Sequence, residues 1–163
     1  MKKFLGIVVL GLLLSGSAYA ELITLKNCYQ FKDQSTVPGE KPLEFRNLKE
    51  QTAHREIFYE DLLFTLDTVT EVVTSTMITK DSWIKSQLEN NNYVWDKFAK
   101  ATYKITDLGG NVATAEGEPS LTVKSNKLDL DFVSNKVYRT IRFEYIDGSK
   151  YSSSTIYQCK RQK

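Results

Sequence analysis

Two groups of carboxylates have a spacing that could support catalysis or cation binding. Asp129 and Asp131 are two positions apart and would share one face of a strand, whereas Glu56, Glu60 and Asp61 lie close together along the chain. Paired carboxylates can act as general acid and base, or they can bind calcium. However, the apolar residues that alternate with the first pair are equally typical of a half-solvated strand. We therefore expect neither group to form a site.

Other reactive residues give no further indication of chemistry. His54 is the only histidine, so a His/Cys metal site is not expected, and a surface position is predicted for it. The chain contains no G-x-S-x-G, H-E-x-x-H, P-loop or G-x-G-x-x-G motif. The sequence predicts no catalytic residues, no metal and no cofactor, and an enzyme is the least favoured of the functions considered.

The two cysteines, Cys28 and Cys159, are the only ones in the chain. In an exported protein two cysteines allow one disulfide, and neither has a histidine in its own segment to activate a free thiol. A bridge requires their Cα atoms to lie within about 7 Å. We therefore predict a disulfide that makes the first and last strands neighbours, as closure of an up-and-down barrel demands.

The first twenty residues have the three parts of a secretory signal peptide. Lys2 and Lys3 precede an apolar run, which is followed by Ala18-Tyr19-Ala20, a cleavage motif. The run is too short for a spanning helix, which needs about 20 apolar residues, and no later segment is long enough. We expect cleavage after Ala20 and export to the periplasm or the extracellular space.

Cleavage would also change the net charge. The chain has 22 basic and 20 acidic residues, and the loss of Lys2 and Lys3 would leave 20 of each. A neutral, evenly mixed surface gives no electrostatic indication of nucleic-acid or anionic-lipid binding. Residues 21–163 have a length that suits one domain.

Periodicity predicts a mainly β protein. Alternating or β-branched segments favour strands at 23–31, two within 57–78, and then at 93–105, 112–115, 121–124, 128–133, 137–146 and 151–160. Residues 32–42 read as a loop, residues 43–55 fit either a strand or a short helix, and residues 81–89 fit a helix. About nine strands at meander spacing favour a single antiparallel β-barrel or a strongly curved meander sheet with one short helix. A β-sandwich is the second choice.

The aromatic residues are the most informative candidates for a site. Five of them fall at inward-type positions of long predicted strands: Tyr93, Trp95, Tyr103, Phe143 and Tyr145. In a small barrel such side chains either fill the core or line a ligand cavity. The tyrosines favour a cavity because each buried hydroxyl needs a partner. A cavity of at least about 300 Å³ lined by these residues is the corresponding expectation.

The combination of a signal peptide, one β domain and one disulfide between terminal strands resembles lipocalin-like exported proteins in architecture. The G-x-W signature of lipocalins is absent, because Trp83 follows Asp81-Ser82 and Trp95 follows Val94. No residue roles are therefore carried over. Two functions remain open. The first is binding of an apolar or amphipathic small molecule inside a barrel. The second is a protein-interaction module of the cell envelope, an inhibitor or an assembly factor, with a packed core.

Overall fold

The computed structural model describes residues 22–54, 57–91 and 96–162. These residues form nine strands and two helices. The strands, β1 to β9 in chain order, are Leu22–Ser35, Leu43–Glu44, Tyr59–Asp67, Val72–Thr79, Phe98–Gly109, Val112–Gly117, Val123–Asp131, Lys136–Glu144 and Lys150–Arg161. The helices are α1, Leu48–Ala53, and α2, Asp81–Asn91. The predicted signal peptide, residues 1–20, lies outside the described residues and stays a prediction.

The sheet closes on itself to form an antiparallel barrel. From β3 to β9 each strand pairs with the next one along the chain, and β1 pairs with both β3 and β9. Eight strands therefore form the barrel wall, and the two-residue β2 adds to β1 as a ninth strand. The predicted antiparallel barrel is confirmed. Closure satisfies the backbone hydrogen bonds of the terminal strands.

The predicted disulfide is also confirmed. Cys28 of β1 and Cys159 of β9 are bonded, and their Cα atoms are 4.1 Å apart. Both side chains are buried. The bridge thus joins the first and last strands at the point where the barrel closes.

Two irregularities in β1 decide which of its side chains face inward. One lies between Lys26 and Tyr29, where Asn27 has a positive φ of 51°, and the other lies between Gln30 and Lys32. Each inserts one extra residue opposite β9 and shifts the inward phase by one position. As a result, Cys28 and Gln30 are buried, although simple alternation would place Gln30 on the same face as the lysines.

One end of the barrel is packed with apolar side chains. We call this the closed end; β1 begins there and β9 finishes there. Its buried residues come from seven of the eight wall strands and include Leu25, Leu66, Val73, Ala113, Leu128, Leu130 and Val137. Ala113 and Ala115 of β6 pair with the bulkier Leu130 and Leu128 of β7, and all four side chains are fully buried.

The opposite end, which we call the open end, has a seam between β1 and β3. Their pairing stops at Leu25 and Phe64, and beyond that point β1 pairs with β2 instead. Phe45 follows β2 directly, and Gln51 lies on α1. Both side chains are buried. The side-chain oxygen of Gln51 accepts a hydrogen bond from the backbone N–H of Gln30. The segment from β2 to α1 therefore fills the seam.

Several element boundaries differ from the sequence-based expectations. The first strand continues to Ser35, and residues 43–55 hold both β2 and a helix, α1. Residues 121–124 and 128–133 do not form two strands, because Ser125 and Asn126 lie within β7. The predicted strand at 93–105 begins at Phe98 in the described residues and extends to Gly109, with a register shift between Ile105 and Asp107 in its pairing with β6. Serine and asparagine favour turns locally, but pairing on both sides keeps them extended here.

The hairpin between β8 and β9 has a register that the sequence alone does not determine, because loops of two, three or four residues all fit it. Tyr145 and Ser149 are joined by a backbone hydrogen bond of 3.0 Å, which leaves three residues in the loop. Gly148 takes a φ of 81° in this turn, a conformation that glycine adopts without strain. Val137 then pairs with Tyr157, so Tyr157 and Cys159 face the barrel interior. No helix in the described part of the chain is long and apolar enough to cross a membrane.

Candidate functional site

The open half of the barrel contains a cavity of about 1040 Å³. Its wall comes from β1, β3, β4, β5, β8 and β9, and residues 39–43 of the β1–β2 connection line its mouth. The inward side chains that the wall contributes include Gln30, Asp33, Leu62, Ser75, Met77, Ala99, Arg139, Ile141, Ser153 and Thr155. The barrel is therefore half filled and half hollow.

A chain of polar side chains crosses the base of this cavity. Arg139 of β8 is partly buried and lies near enough to the hydroxyl of Tyr157 to affect its pKa. Tyr157 in turn affects the pKa of Tyr59, whose hydroxyl donates to Oε1 of Gln30 at 3.4 Å. These side chains come from four neighbouring strands of the barrel, β8, β9, β1 and β3.

Burial favours the neutral form of Tyr59 and Tyr157, the two tyrosines in this group of polar side chains. It raises the pKa of Tyr59 well above the usual value, and the neighbouring Tyr157 and Asp33 raise it further. Burial also raises the pKa of Tyr157, against an opposing effect of the Arg139 guanidinium. Both hydroxyls therefore keep their protons at physiological pH and remain hydrogen-bond donors.

Asp33 is the carboxylate that faces the base of the cavity. It lies in the same cross-strand row as Arg139, because both residues pair with Thr155 of the intervening β9. The hydroxyl of Thr155 donates to Oδ1 of Asp33 at 2.6 Å. Among the described residues, no carboxylate oxygen lies within ion-pair distance of Arg139. Its Nε donates to Asn126 Oδ1 at 3.1 Å instead.

The floor of the cavity is formed by Tyr103, which is 2% exposed. Its ring lies over Gly117 of β6, the residue with which it pairs. A Cβ atom at position 117 would lie 3.2 Å from the ring carbons Cδ1 and Cε1. Glycine at position 117 therefore allows the Tyr103 ring to pack closely against the β6 backbone.

The cavity lining is amphipathic. Apolar surface comes from Leu62, Met77 and Ile141. Charged side chains line both the base, where Arg139 lies, and the mouth, where Lys41 lies. Two carboxylates and three Lys or Arg residues line the cavity, which gives it a formal charge of +1. Such a surface suits a molecule with an apolar body and a polar end.

The five aromatic residues predicted to line a cavity have different locations. Tyr103 lines it, as described above. Tyr93 and Trp95 lie outside the described residues. Phe143 lies on β8 but does not line this cavity, and Tyr145 lies in the β8–β9 connection, 45% exposed and packed against Tyr151. Among the described residues, four aromatic side chains line the cavity, Phe58, Tyr59, Tyr103 and Tyr157, and of these the sequence predicted only Tyr103.

The carboxylate groups of the sequence do not converge in the cavity. Asp129 accepts a hydrogen bond from the Thr114 hydroxyl at 2.6 Å, and Glu60 pairs with Lys97 at 2.9 Å. Asp131 caps the β7–β8 turn, where a hydrogen bond from the Ser134 hydroxyl lowers its pKa. Glu56 is outside the described residues. In the described ranges no group of three His, Cys, Asp or Glu side chains could hold a metal ion.

His54 does not have the exposed position expected from the sequence. It is partly buried beside the cavity, with its ring edge-on to Phe45 at 5.3 Å. Its backbone carbonyl accepts a hydrogen bond from the Lys80 ammonium at 2.9 Å. Packing of α1 against the seam accounts for this burial. The sequence left residues 43–55 open between a strand and a short helix.

Sequence reasoning missed the polar residues at the base of the cavity. One signal was present: Arg139 lies between Val137 and Ile141, with the two-residue spacing of an inward stripe. A charged residue in such a stripe indicates either an interior ion pair or an interior binding site. Gln30 and Asp33 carried no comparable signal, because the two irregularities in β1 determine their orientation.

Comparison with known proteins gives little further information. No protein-family model matches the chain, and no curated protein matches it. Among solved structures, a mutant of the vaccine antigen transferrin binding protein B from Haemophilus parasuis Hp5 is similar with a TM-score of 0.44 and 11% sequence identity. The match covers 88% of this chain and 27% of that one, so this chain spans about a quarter of that protein's length. A similarity this weak says nothing of ligand or activity.

Proposed function

We propose that this protein is an exported carrier or receptor that binds an amphipathic small molecule inside its β-barrel. The observation that carries the proposal is the cavity of about 1040 Å³ in the open half, which is as large as typical small-molecule pockets. A barrel that served only as a rigid scaffold would gain stability if that half were packed like the other.

Export is part of the proposal and has two supports. The first twenty residues match a signal peptide, and the disulfide between Cys28 and Cys159 would persist in an oxidising compartment. Binding rather than catalysis is proposed because the carboxylates at the cavity are few and Asp33 is held by a threonine hydroxyl.

A matched pair of cavity variants tests this function. Ser153 lines the cavity, whereas its neighbour Ser152 does not. A neutral fluorescent probe, N-phenylnaphthylamine, is titrated into each protein, so that the result does not depend on ligand charge. We expect Ser153→Trp to weaken probe binding by at least about tenfold, because the indole occupies cavity volume, and Ser152→Trp to change it by less than about twofold.

The outcome that contradicts the proposal is equally clear. If the wild-type protein does not bind the probe, or if both tryptophan variants bind it as well as the wild type does, the cavity is not the binding site. The alternative function, an envelope protein-interaction module, would then be favoured. Its support is a pair of exposed apolar residues in the β6–β7 and β8–β9 connections at the open end, Leu121 at 93% and Ile146 at 105% relative exposure.

A further inference from the structure

Arg139 is unusual among the cavity residues because it is a cation whose observed partners are neutral. Its Nε donates to Asn126 Oδ1 at 3.1 Å, and its guanidinium lies near enough to the neutral hydroxyl of Tyr157 to oppose the rise of that group's pKa. A guanidinium has five N–H donors, and these two contacts use only part of that capacity. The loss of hydration around a partly buried charge is costly unless a counter-charge compensates for it.

The carboxylate at the cavity base does not supply that compensation. Asp33 lies on β1, on the far side of Thr155 from Arg139, and strands in a sheet are about 4.8 Å apart. Two strand spacings therefore separate the two backbones. Oδ1 of Asp33 is already bound by the Thr155 hydroxyl at 2.6 Å. The guanidinium thus faces a cavity that contains neutral hydroxyl and amide groups close to it.

From this arrangement we infer that the ligand carries an anionic oxygen group, a carboxylate in its simplest form, and that Arg139 binds this group at the base of the barrel. The inference rests on the proposed function and makes it more specific. The planar guanidinium can donate two parallel hydrogen bonds to a carboxylate or a phosphate. Because the Tyr59 hydroxyl already donates to Gln30, the guanidinium of Arg139 supplies the donors for the anionic group. The apolar part of the ligand then extends along Leu62, Met77 and Ile141 toward the mouth.

Three probes of the same chain length and different charge test the inference. Decanoate, decanol and decylamine are titrated separately into the full mature protein at neutral pH, and binding is measured by calorimetry. We expect decanoate to bind about 10- to 100-fold more tightly than decanol, because it gains charge-assisted hydrogen bonds. Decylamine should bind more weakly than decanol. Decyl phosphate serves as a second anion and distinguishes a carboxylate site from a phosphate site.

The strand that carries Arg139 also supplies the control. Arg142 is three residues further along β8 and is exposed on the outer face, away from the cavity. Arg139→Gln should weaken decanoate binding by about 10- to 100-fold and leave decanol binding unchanged, whereas Arg142→Gln should change neither by more than about twofold.

Each other outcome overturns the inference. Equal affinity for decanoate and decanol would show that the cavity binds an alkyl chain without recognising the charge of its end group. The proposed function would then stand, but Arg139 would not be the residue that recognises the ligand. Tighter binding of decylamine would make Asp33 the recognition group. No binding of any probe would remove both the inference and the proposed function. The comparison of probes on the wild-type protein needs no variant, so it decides the matter even if Arg139→Gln fails to fold.

Discussion

The disulfide between Cys28 and Cys159 should be the largest single contribution to stability in this barrel. The two cysteines are 131 residues apart in the chain. In the loop-entropy model, cross-linking a loop of that length removes enough freedom from the unfolded chain to stabilise the fold by about 5 kcal/mol. Replacement of both residues by alanine should therefore lower the free energy of unfolding by about 3 to 5 kcal/mol, a large part of the 5 to 15 kcal/mol typical of a domain.

Urea unfolding followed by tryptophan fluorescence and by circular dichroism measures this effect. The wild-type protein is compared with the Cys28→Ala/Cys159→Ala variant, and the reduced wild type serves as a control without a change of side-chain volume. Because the bridge acts on the unfolded chain, the variant should also show a larger m-value, as its unfolded state is more expanded. A loss below about 1 kcal/mol with an unchanged m-value would refute the reasoning. It would mean that β1 and β9 stay associated in the unfolded chain without the covalent bond.

Two further predictions concern the two halves of the barrel and the buried Tyr59. Leu128→Ala, in the packed half, should lower the free energy of unfolding by about 2 to 5 kcal/mol. Ile141→Ala, on the cavity wall, should lower it by less than half as much, because the Ile141 side chain borders empty space. Equal losses of stability in urea titrations would indicate that the cavity collapses. The raised pKa of Tyr59 means that its neutral form stabilises the fold fully below about pH 10 and that this contribution is lost as pH rises further. Tyr59→Phe should therefore make the urea midpoint fall less between about pH 8 and pH 11 than it does in the wild type, and parallel curves would contradict the assigned burial.

The sequence predicted the architecture through signals that are local or covalent. Alternation along 137–146 and 151–160 indicates strands without any knowledge of their partners. The two cysteines are a long-range signal that can be read from the sequence, because only one pairing was possible. Strand periodicity and the cysteine pair together predicted a closed antiparallel barrel, and the antiparallel pairing of β1 with β9 closes it.

The sequence predicted the site less well than the fold, because which side chains face the cavity depends on the inward or outward phase of each strand. The shift at Asn27 turns Cys28 and Gln30 inward, and a second shift lies just before Asp33. Such irregularities arise from the match between neighbouring strands, which a single segment does not reveal. Tyr157 faces inward only because the last hairpin has an odd number of loop residues. The sequence allowed either parity.

The amino-acid sequence by itself thus determined the class of fold, the disulfide and the approximate positions of the strands, since each follows from local periodicity or from residue identity. Only the tertiary structure decided that one half of the barrel is packed and the other hollow. It also brought Arg139, Tyr157, Tyr59 and Gln30 from four strands to the lining of one cavity. The physical reason is that the volume inside a barrel depends on strand register and on all facing side chains at once, and no stretch of sequence contains that information.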